Sequence, residues 1–161
     1  MPLDTTPATW TAGEIPTAGK LNTEIRDALT NLQAAWVDYV PVWTSAGSTL
    51  GNGILNGSYT RVGNTVDFQI FWQAGTTTTY GAPTWQFSLP LGCVTPSPLF
   101  MGVCRDASPI TYYPLYGRGF ASGVTCQIGT TGAAMANLTS TAPFTWAVSD
   151  QISISGSYET T

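Results

Sequence analysis

The chemistry open to this chain is restricted first by the side chains that it lacks. The 161 residues contain no histidine, which excludes Ser/His/Asp and Cys/His triads, imidazole metal sites and the commonest general base near neutral pH. The nine carboxylates are spread out, and no loop has the clustered oxygen ligands of a calcium motif. No two carboxylates after residue 40 have a spacing that suggests a shared pocket, although distant ones can meet in space as in a glycosidase. The sequence therefore predicts a protein that is not an enzyme and that needs no metal or cofactor.

Three cysteines remain as candidates for nucleophilic or redox chemistry. Cys93, Cys104 and Cys126 are scattered, without the paired spacing of a zinc or redox site. We expect buried, reduced thiols, which suit synthesis in a reducing cytoplasm.

An aromatic segment is the strongest candidate for ligand recognition. Tyr112, Tyr113 and Tyr116 fall within five consecutive residues. Aromatic side chains at the edge of a β-sandwich stack on sugar rings or pack against another subunit. Because aromatic residues occur throughout this chain, packing or a subunit interface is favoured over a glycan site.

Charge and hydropathy exclude two further classes of partner. Charged residues make up 9% of the chain and the formal net charge is −4, so no basic stripe is present to bind nucleic acid. The apolar runs are short and interrupted by Gly, Pro or Thr, and the first residues lack the pattern of a signal peptide. We therefore expect neither nucleic-acid binding nor membrane insertion.

The distribution of charge divides the chain near residue 40. Seven of the fourteen charged residues precede this point. Residues 1–16 contain three prolines and no helical period, so we expect an extended arm that docks on another protein. Residues 17–40 are predicted to form an amphipathic oligomerising helix with Thr17 as its N-cap, and residues 41–161 to form a β-domain.

The predicted helix has an apolar seam with alternating spacings of four and three residues, which is a heptad pattern. The seam comprises Leu21, Ile25, Ala28, Leu32 and Ala35, and is widened by Leu29 and Trp36. Such a face packs either on the sheet of the same chain or on copies of itself, and the period leaves both open. Two heptads are too short to hold a coiled coil unaided, so self-association would need help from the β-domain.

The β-domain alternates apolar and polar residues. A strand over residues 54–62 is followed by Gly63-Asn64, which suits a tight turn, and by a second alternating run from Val66, so the two should form a hairpin. Further strands are predicted at residues 84–89, 99–105, 110–115, 123–128, 133–138, 144–148 and 151–158. This number of short strands predicts an all-β fold, an antiparallel β-sandwich that is jelly-roll-like or a related Greek key.

Three segments carry recognisable motifs. TWTAGEI at residues 9–15 leads to LNTEIRDAL at residues 21–29, GNGILNGSYTRVG occupies residues 51–63, and the segment 144–159 ends in DQISISGSYE. Taken together, these motifs resemble the small tail or fibre proteins of actinobacteriophages. The resemblance spans most of the chain, although the region between residues 92 and 138 matches no motif of the family.

The resemblance implies a structural protein of the virion surface, assembled in the host cytoplasm. It implies a homotrimeric, tail-associated fibre component whose arm docks on other virion proteins and whose sandwich meets the host surface for attachment. It carries over no catalytic residue. Two other functions stay open: a capsid decoration protein or head fibre, and a carbohydrate-binding module or carbohydrate-active enzyme that uses residues 112–116.

Overall fold

The computed structural model describes residues 9–32, 35–94, 97–119, 123–130 and 136–160. These residues form a short helical run followed by twelve strands, and all the strand pairs among them are antiparallel. The predicted all-β, sandwich-like fold is confirmed.

The helical run, called the N-terminal helix below, has three parts: α1 (Ala18–Leu21), a π-helical turn (Asn22–Arg26) and α2 (Asp27–Leu32). The strands are β1 (Val37–Tyr39), β2 (Trp43–Thr44), β3 (Ser48–Thr49), β4 (Ile54–Val62), β5 (Thr65–Gln73), β6 (Thr79–Tyr80), β7 (Gln86–Cys93), β8 (Leu99–Asp106), β9 (Thr111–Gly119), β10 (Gly123–Thr130), β11 (Ala136–Asn137) and β12 (Gln151–Glu159).

The hairpin of β4 and β5 is confirmed in its predicted place. The two strands pair from end to end, and Gly63 in the connecting turn has a φ of 59°, a conformation that glycine adopts at little cost. In β5 the side chains of Val66, Phe68, Ile70 and Trp72 are buried and alternate with exposed or half-buried residues. The period of two in the sequence thus corresponds to one face turned toward the core.

The main sheet has the strand order β1-β4-β5-β12-β8-β9-β10-β7-β2, with β11 added to β10, and β3 and β6 form a separate two-stranded sheet. The order departs furthest from the sequence at β12, which lies between β5 and β8, and departs again at β7, which lies between β10 and β2. The last described strand is therefore central to the sheet.

The main sheet curls over itself to enclose the core. In a flat sheet, the six steps from β5 to β2 would separate these strands by about 29 Å. The rings of Trp72 on β5 and Trp43 on β2 instead lie 5.2 Å apart. The edge strands β1 and β2 are joined by residues 40–42. The side chain of Ser88 on β7 holds this turn, since its Oγ accepts a hydrogen bond from the N–H of Val42 over 2.8 Å.

Aromatic rings fill the space between the two layers. Trp43, Trp72, Trp85 and Trp146 form a cluster whose neighbouring ring centroids are 4.9 to 5.7 Å apart. Edge-to-face contacts of this kind add to the stabilisation that the burial of the rings provides. A fold with so few charges therefore depends on a large aromatic core.

The N-terminal helix ends earlier than the heptad pattern predicts. The described helical residues stop at Leu32, residues 33–34 lie outside the described part, and β1 begins directly after Trp36. On β1, the ring of Tyr39 packs edge-on against Tyr59 of β4 at 5.9 Å. Cross-strand pairing outweighs the weak local preference for helix, so the prediction of a helix over residues 17–40 is wrong at its C-terminal end.

Two further predictions about the β-domain are wrong. Residues 144–148 are not a strand: Phe144 and Trp146 are buried and alternate with exposed residues, but their backbone joins no ladder. The predicted strand over residues 110–115 ends too early, because residues 117–119 are not a turn but continue β9 and pair with β10. The predicted strand over residues 133–138 falls partly outside the described part, where only β11 is seen.

A pair of glycine substitutions tests the packing of β12 on the core. In Gly156→Ala the new Cβ would overlap the buried ring of Phe100, whereas at Gly92 on β7 the Cβ would meet no atom within 4 Å. We expect Gly156→Ala to lower the free energy of unfolding by about 1–3 kcal/mol through overpacking. Gly92→Ala should leave it unchanged or raise it by up to about 1 kcal/mol. Urea denaturation followed by fluorescence measures both, and equal effects would contradict the described packing.

Candidate functional site

The N-terminal helix begins at the residue that the sequence predicts. Thr17 is the N-cap, and its Oγ1 accepts a hydrogen bond from the backbone N–H of Lys20 over 3.2 Å. The ammonium of Lys20 pairs with Glu14 and lies 5.1 Å from the ring centre of Trp10. The hydrogen bond from Lys20 lowers the pKa of the Glu14 carboxyl, with a smaller contribution from the backbone of Thr11. The described end of the predicted arm, residues 9–16, is thus fastened to the start of the helix.

An apolar stripe on this helix is open to solvent. Leu21, Ile25 and Leu29 follow one another at intervals of four residues, and their side chains are 38%, 48% and 53% exposed. No residue from Ala18 to Arg26 is buried, so the helix does not set its stripe against the sheet of its own chain. The side chains of Ala28 and Leu32 lie outside what the structure describes. Within residues 9–32, 35–94, 97–119, 123–130 and 136–160, nothing covers Leu21, Ile25 and Leu29.

The other two residues assigned to the seam lie beyond the helix. Ala35 and Trp36 are exposed and precede β1 directly, so they do not continue the helical stripe. Three exposed valines follow them in the next six residues, at Val37, Val40 and Val42. The connection between the helix and the sandwich, residues 35–42, therefore carries apolar surface of its own.

The three tyrosines predicted as a contact site are divided between two faces of β9. Tyr112 and Tyr116 point to the outer face, while Tyr113 points inward and lies 5.1 Å from the ring of Phe144. Successive side chains of a strand alternate between faces, so the three rings do not form one platform. Only Tyr112 and Tyr116 remain available to a partner or ligand.

An apolar patch lies on the outer face of β8 and β9. Leu99, Met101 and Tyr112 are each more than half exposed, and Tyr116 stands beside Met101 in the strand register. Exposed apolar side chains that cluster in this way mark interaction surfaces more often than scattered ones do. We call this surface the β8–β9 patch.

A groove of about 510 Å³ lies next to this patch on the same outer face. We call it the outer-face groove, and its side chains come from five adjacent strands of the main sheet. They are Asp38 on β1, Asn56 and Ser58 on β4, Gln69 and Phe71 on β5, Ser153 and Ser155 on β12, and Met101 and Val103 on β8. Its volume falls in the range of ligand pockets, about 300–1,000 Å³. None of these residues belongs to a surface that the sequence analysis considered, and Met101 is shared with the β8–β9 patch.

One carboxylate is buried in the structure and has a structural role. The side chain of Asp150 is 1% exposed, and its two oxygens accept hydrogen bonds from the backbone N–H groups of Ala107 and Ala147 over 2.8 and 2.6 Å. These bonds tie the loop after β8 to the segment before β12. Burial, and then the charge of Asp150, raise the pKa of Tyr80. In the described part of the chain, no three Cys, Asp or Glu residues come together as metal ligands would.

Cys93 and Cys104 are reduced thiols and are fully buried, and burial raises the pKa of Cys104 to about 12. The thiolate is the reactive form, so we expect iodoacetamide at pH 8 to leave both residues unmodified in the native protein. Both should react once the chain is unfolded in urea, and mass spectrometry of peptides identifies each site. Labelling of Cys104 in the native protein at the rate of the unfolded chain would contradict the described burial.

The raised pKa also has a consequence for stability. The ordinary pKa of the Cys104 thiol is 9.0, so above this pH the thiol ionises in the unfolded chain but not in the folded one. The stability present below pH 9 should therefore decline as pH rises toward 12.

The described residues, including the helical region 9–32, contain no helix that is long and apolar enough to span a membrane. Comparison with known proteins returns no match, whether with family models, with curated proteins or with solved structures.

Proposed function

We propose that the chain is a structural protein of a phage virion surface, which assembles as a homotrimer through its N-terminal helix. The observation that carries this proposal is the exposed stripe of Leu21, Ile25 and Leu29. An amphipathic helix normally buries its apolar face, and none of the described residues of this chain covers the stripe. A partner outside the chain would bury it, and the heptad spacing favours copies of the same helix.

The sandwich supplies the additional contacts that so short a helix needs. The segment after the helix exposes the apolar side chains of Trp36, Val37 and Val42, which a symmetric neighbour could reach. The small number of charges favours assembly as well, since the cores of subunit interfaces are depleted in charged residues. The resemblance of the terminal motifs to phage tail and fibre proteins supplies the threefold symmetry and the virion setting.

In this proposal the protein acts by position and shape. The arm docks on a neighbouring virion protein, the helices hold three chains together, and the sandwiches face the host surface for attachment. Histidine, the commonest general base near neutral pH, is absent from the chain, and the thiols of Cys93 and Cys104 are buried. A capsid decoration protein or head fibre would use the same trimer at another docking site.

Sedimentation equilibrium of the purified chain tests the assembly. Three chains of 17.0 kDa should give a particle of about 51 kDa. A particle of 17 kDa at micromolar concentration would contradict the proposal. Immunogold labelling of purified virions then locates the protein, with label on tails expected, label on heads favouring decoration of the capsid, and unlabelled virions contradicting a virion role.

A further inference from the structure

The outer-face groove is built by the register of the central strands. Across the middle of the sheet, Phe71 of β5 and Val103 of β8 stand on either side of Ser153 of β12. Two residues further along β12, Gln69 of β5 and Met101 of β8 stand on either side of Ser155. The short serine side chains leave a trough along β12, and the longer side chains of the two neighbouring strands form its walls.

The groove extends beyond this trough toward the edge of the sheet. In the same row as Ser155 and Gln69 come Ser58 of β4 and then Asp38 of β1. Four steps between strands separate Asp38 from Met101, which is about 19 Å at the usual spacing of strands. The groove is long enough for an extended ligand that lies across the strands.

Some polar side chains in the groove are held by a hydrogen bond, and others have no hydrogen-bond partner among the described residues. Ser58 is 9% exposed, and its Oγ accepts a hydrogen bond from Nε2 of Gln69 over 2.8 Å, which fixes the orientation of that amide. In the described part of the chain, no side-chain hydrogen bond is made by Asp38, Asn56 or Ser155. The groove therefore presents a carboxylate, an amide and hydroxyl groups whose hydrogen-bonding capacity is unused.

The chemistry of this lining selects a class of ligand. Asp38 is the only charged residue among the groove's side chains, so an anionic ligand would meet repulsion and no cation. Adjacent hydroxyls of a sugar both donate and accept hydrogen bonds, which matches amide, carboxylate and serine groups, and Phe71 offers an apolar ring beside them. An extended peptide could not add a strand within the groove, because β4, β5, β12 and β8 are already paired on both sides and only β1 lies at the edge of the sheet.

We infer that the outer-face groove binds a neutral oligosaccharide, with Asn56, Gln69 and Ser155 as hydrogen-bonding groups and Phe71 as the stacking surface. The site is complete within one protomer and is distinct from the tyrosine segment of β9. The inference rests on the proposed function for its setting, because a trimer that faces the host would present three grooves to surface glycans. Three weak sites that engage together bind far more tightly than one.

Two substitutions on β12 form a matched test. Ser155→Tyr places a large side chain in the groove, whereas Ser157→Tyr places the same side chain on the same face of β12, at an exposed residue that does not line the groove. Both proteins would be tested on an array of neutral oligosaccharides of hexoses, pentoses and N-acetylhexosamines. A second array would carry sialylated and phosphorylated oligosaccharides.

We expect the native protein and Ser157→Tyr to bind the same neutral oligosaccharides, and Ser155→Tyr to bind them at least about tenfold more weakly. Phe71→Ala should weaken binding in the same way, and circular dichroism confirms that each variant is folded. Failure of the native protein to bind any neutral oligosaccharide would overturn the inference. Binding restricted to anionic glycans, or binding unaffected by Ser155→Tyr, would also overturn it.

The inferred saccharide binding and the proposed trimer can be contradicted by separate experiments. A monomeric helix variant should keep saccharide binding by each protomer and lose only the gain from multivalency. Calorimetry with a single soluble oligosaccharide measures the affinity of one protomer, because that affinity does not depend on multivalency. Ser155→Tyr should remain a trimer by sedimentation. Loss of both properties in either variant would show that the groove depends on assembly and is not complete within one protomer.

Discussion

Replacing Ile25 with aspartate is expected to convert the proposed trimer into monomers. Ile25 lies at the middle of the exposed stripe, between Leu21 and Leu29. In the trimer each of three copies would bury a carboxylate without a partner, and an unpaired buried charge costs several kcal/mol. Light scattering coupled to size-exclusion chromatography should show the mass fall to one third, while circular dichroism of the sandwich stays unchanged.

Thr23→Asp is the matched control for this substitution. Thr23 is exposed, lies in the same π-helical turn and is not part of the stripe. Threonine and aspartate have similar helix propensities, so the control adds the same charge with little change in the local preference for helix. A trimer that survives Ile25→Asp would refute assembly through the stripe. Monomers in both variants would mean that any added charge on the helix, wherever it lies, disrupts the assembly.

Trp72→Ala is expected to have the largest effect on stability. Trp72 is fully buried on β5, and its ring contacts those of Trp43, Trp85 and Trp146, which come from other parts of the fold. Removing it leaves a large cavity at the point where the two layers of the curled sheet meet, at a cost of about 3–5 kcal/mol. Urea denaturation gives the change in the free energy of unfolding.

Two other tryptophan variants control for this result. Trp72→Phe keeps an aromatic ring at this position, although a smaller one. No hydrogen bond is lost among the described residues, because the indole N–H of Trp72 has no partner there. We expect this variant to lose clearly less stability than Trp72→Ala. Trp10→Ala removes an exposed ring outside the sheet and should change the free energy of unfolding by less than about 0.5 kcal/mol. A loss below about 1 kcal/mol in Trp72→Ala would contradict the two-layer core.

The local features of the fold could be predicted from the sequence. The hairpin of β4 and β5 depends on alternation within each strand and on one tight turn at Gly63, and both are visible in adjacent residues. The N-cap at Thr17 is equally local, because its bond reaches only to Lys20. Such features need no knowledge of which distant strands become neighbours.

The errors arise where distant residues decide the structure. Residues 37–39 follow the helix in the sequence, yet they pair with β4, twenty residues further on. Residues 144–148 alternate as a strand does, but the fold gives them no neighbour to pair with. The separation of Tyr113 from Tyr112 and Tyr116 is different, since the period of two within β9 was sufficient to predict it.

The two candidate surfaces also differ in whether the sequence could predict them. The helical stripe was visible in the spacing of Leu21 and Ile25, and what the structure adds is that no part of the described chain covers it. The outer-face groove could not be predicted, because Ser153 and Ser155 form a trough only when β5 and β8 stand on either side of them. That arrangement joins segments separated by about 80 and 50 positions in the chain.

The central place of β12 has a consequence for how the protein is made. Neither β5 nor β8 can complete its backbone pairing until residues 151–159 have left the ribosome, since both strands pair with β12. Contacts between segments so far apart in sequence form slowly, and until then the apolar faces of both strands stay open. A nascent chain interrupted before this strand would remain unfolded and open to proteolysis, which would keep incomplete subunits out of the proposed trimer.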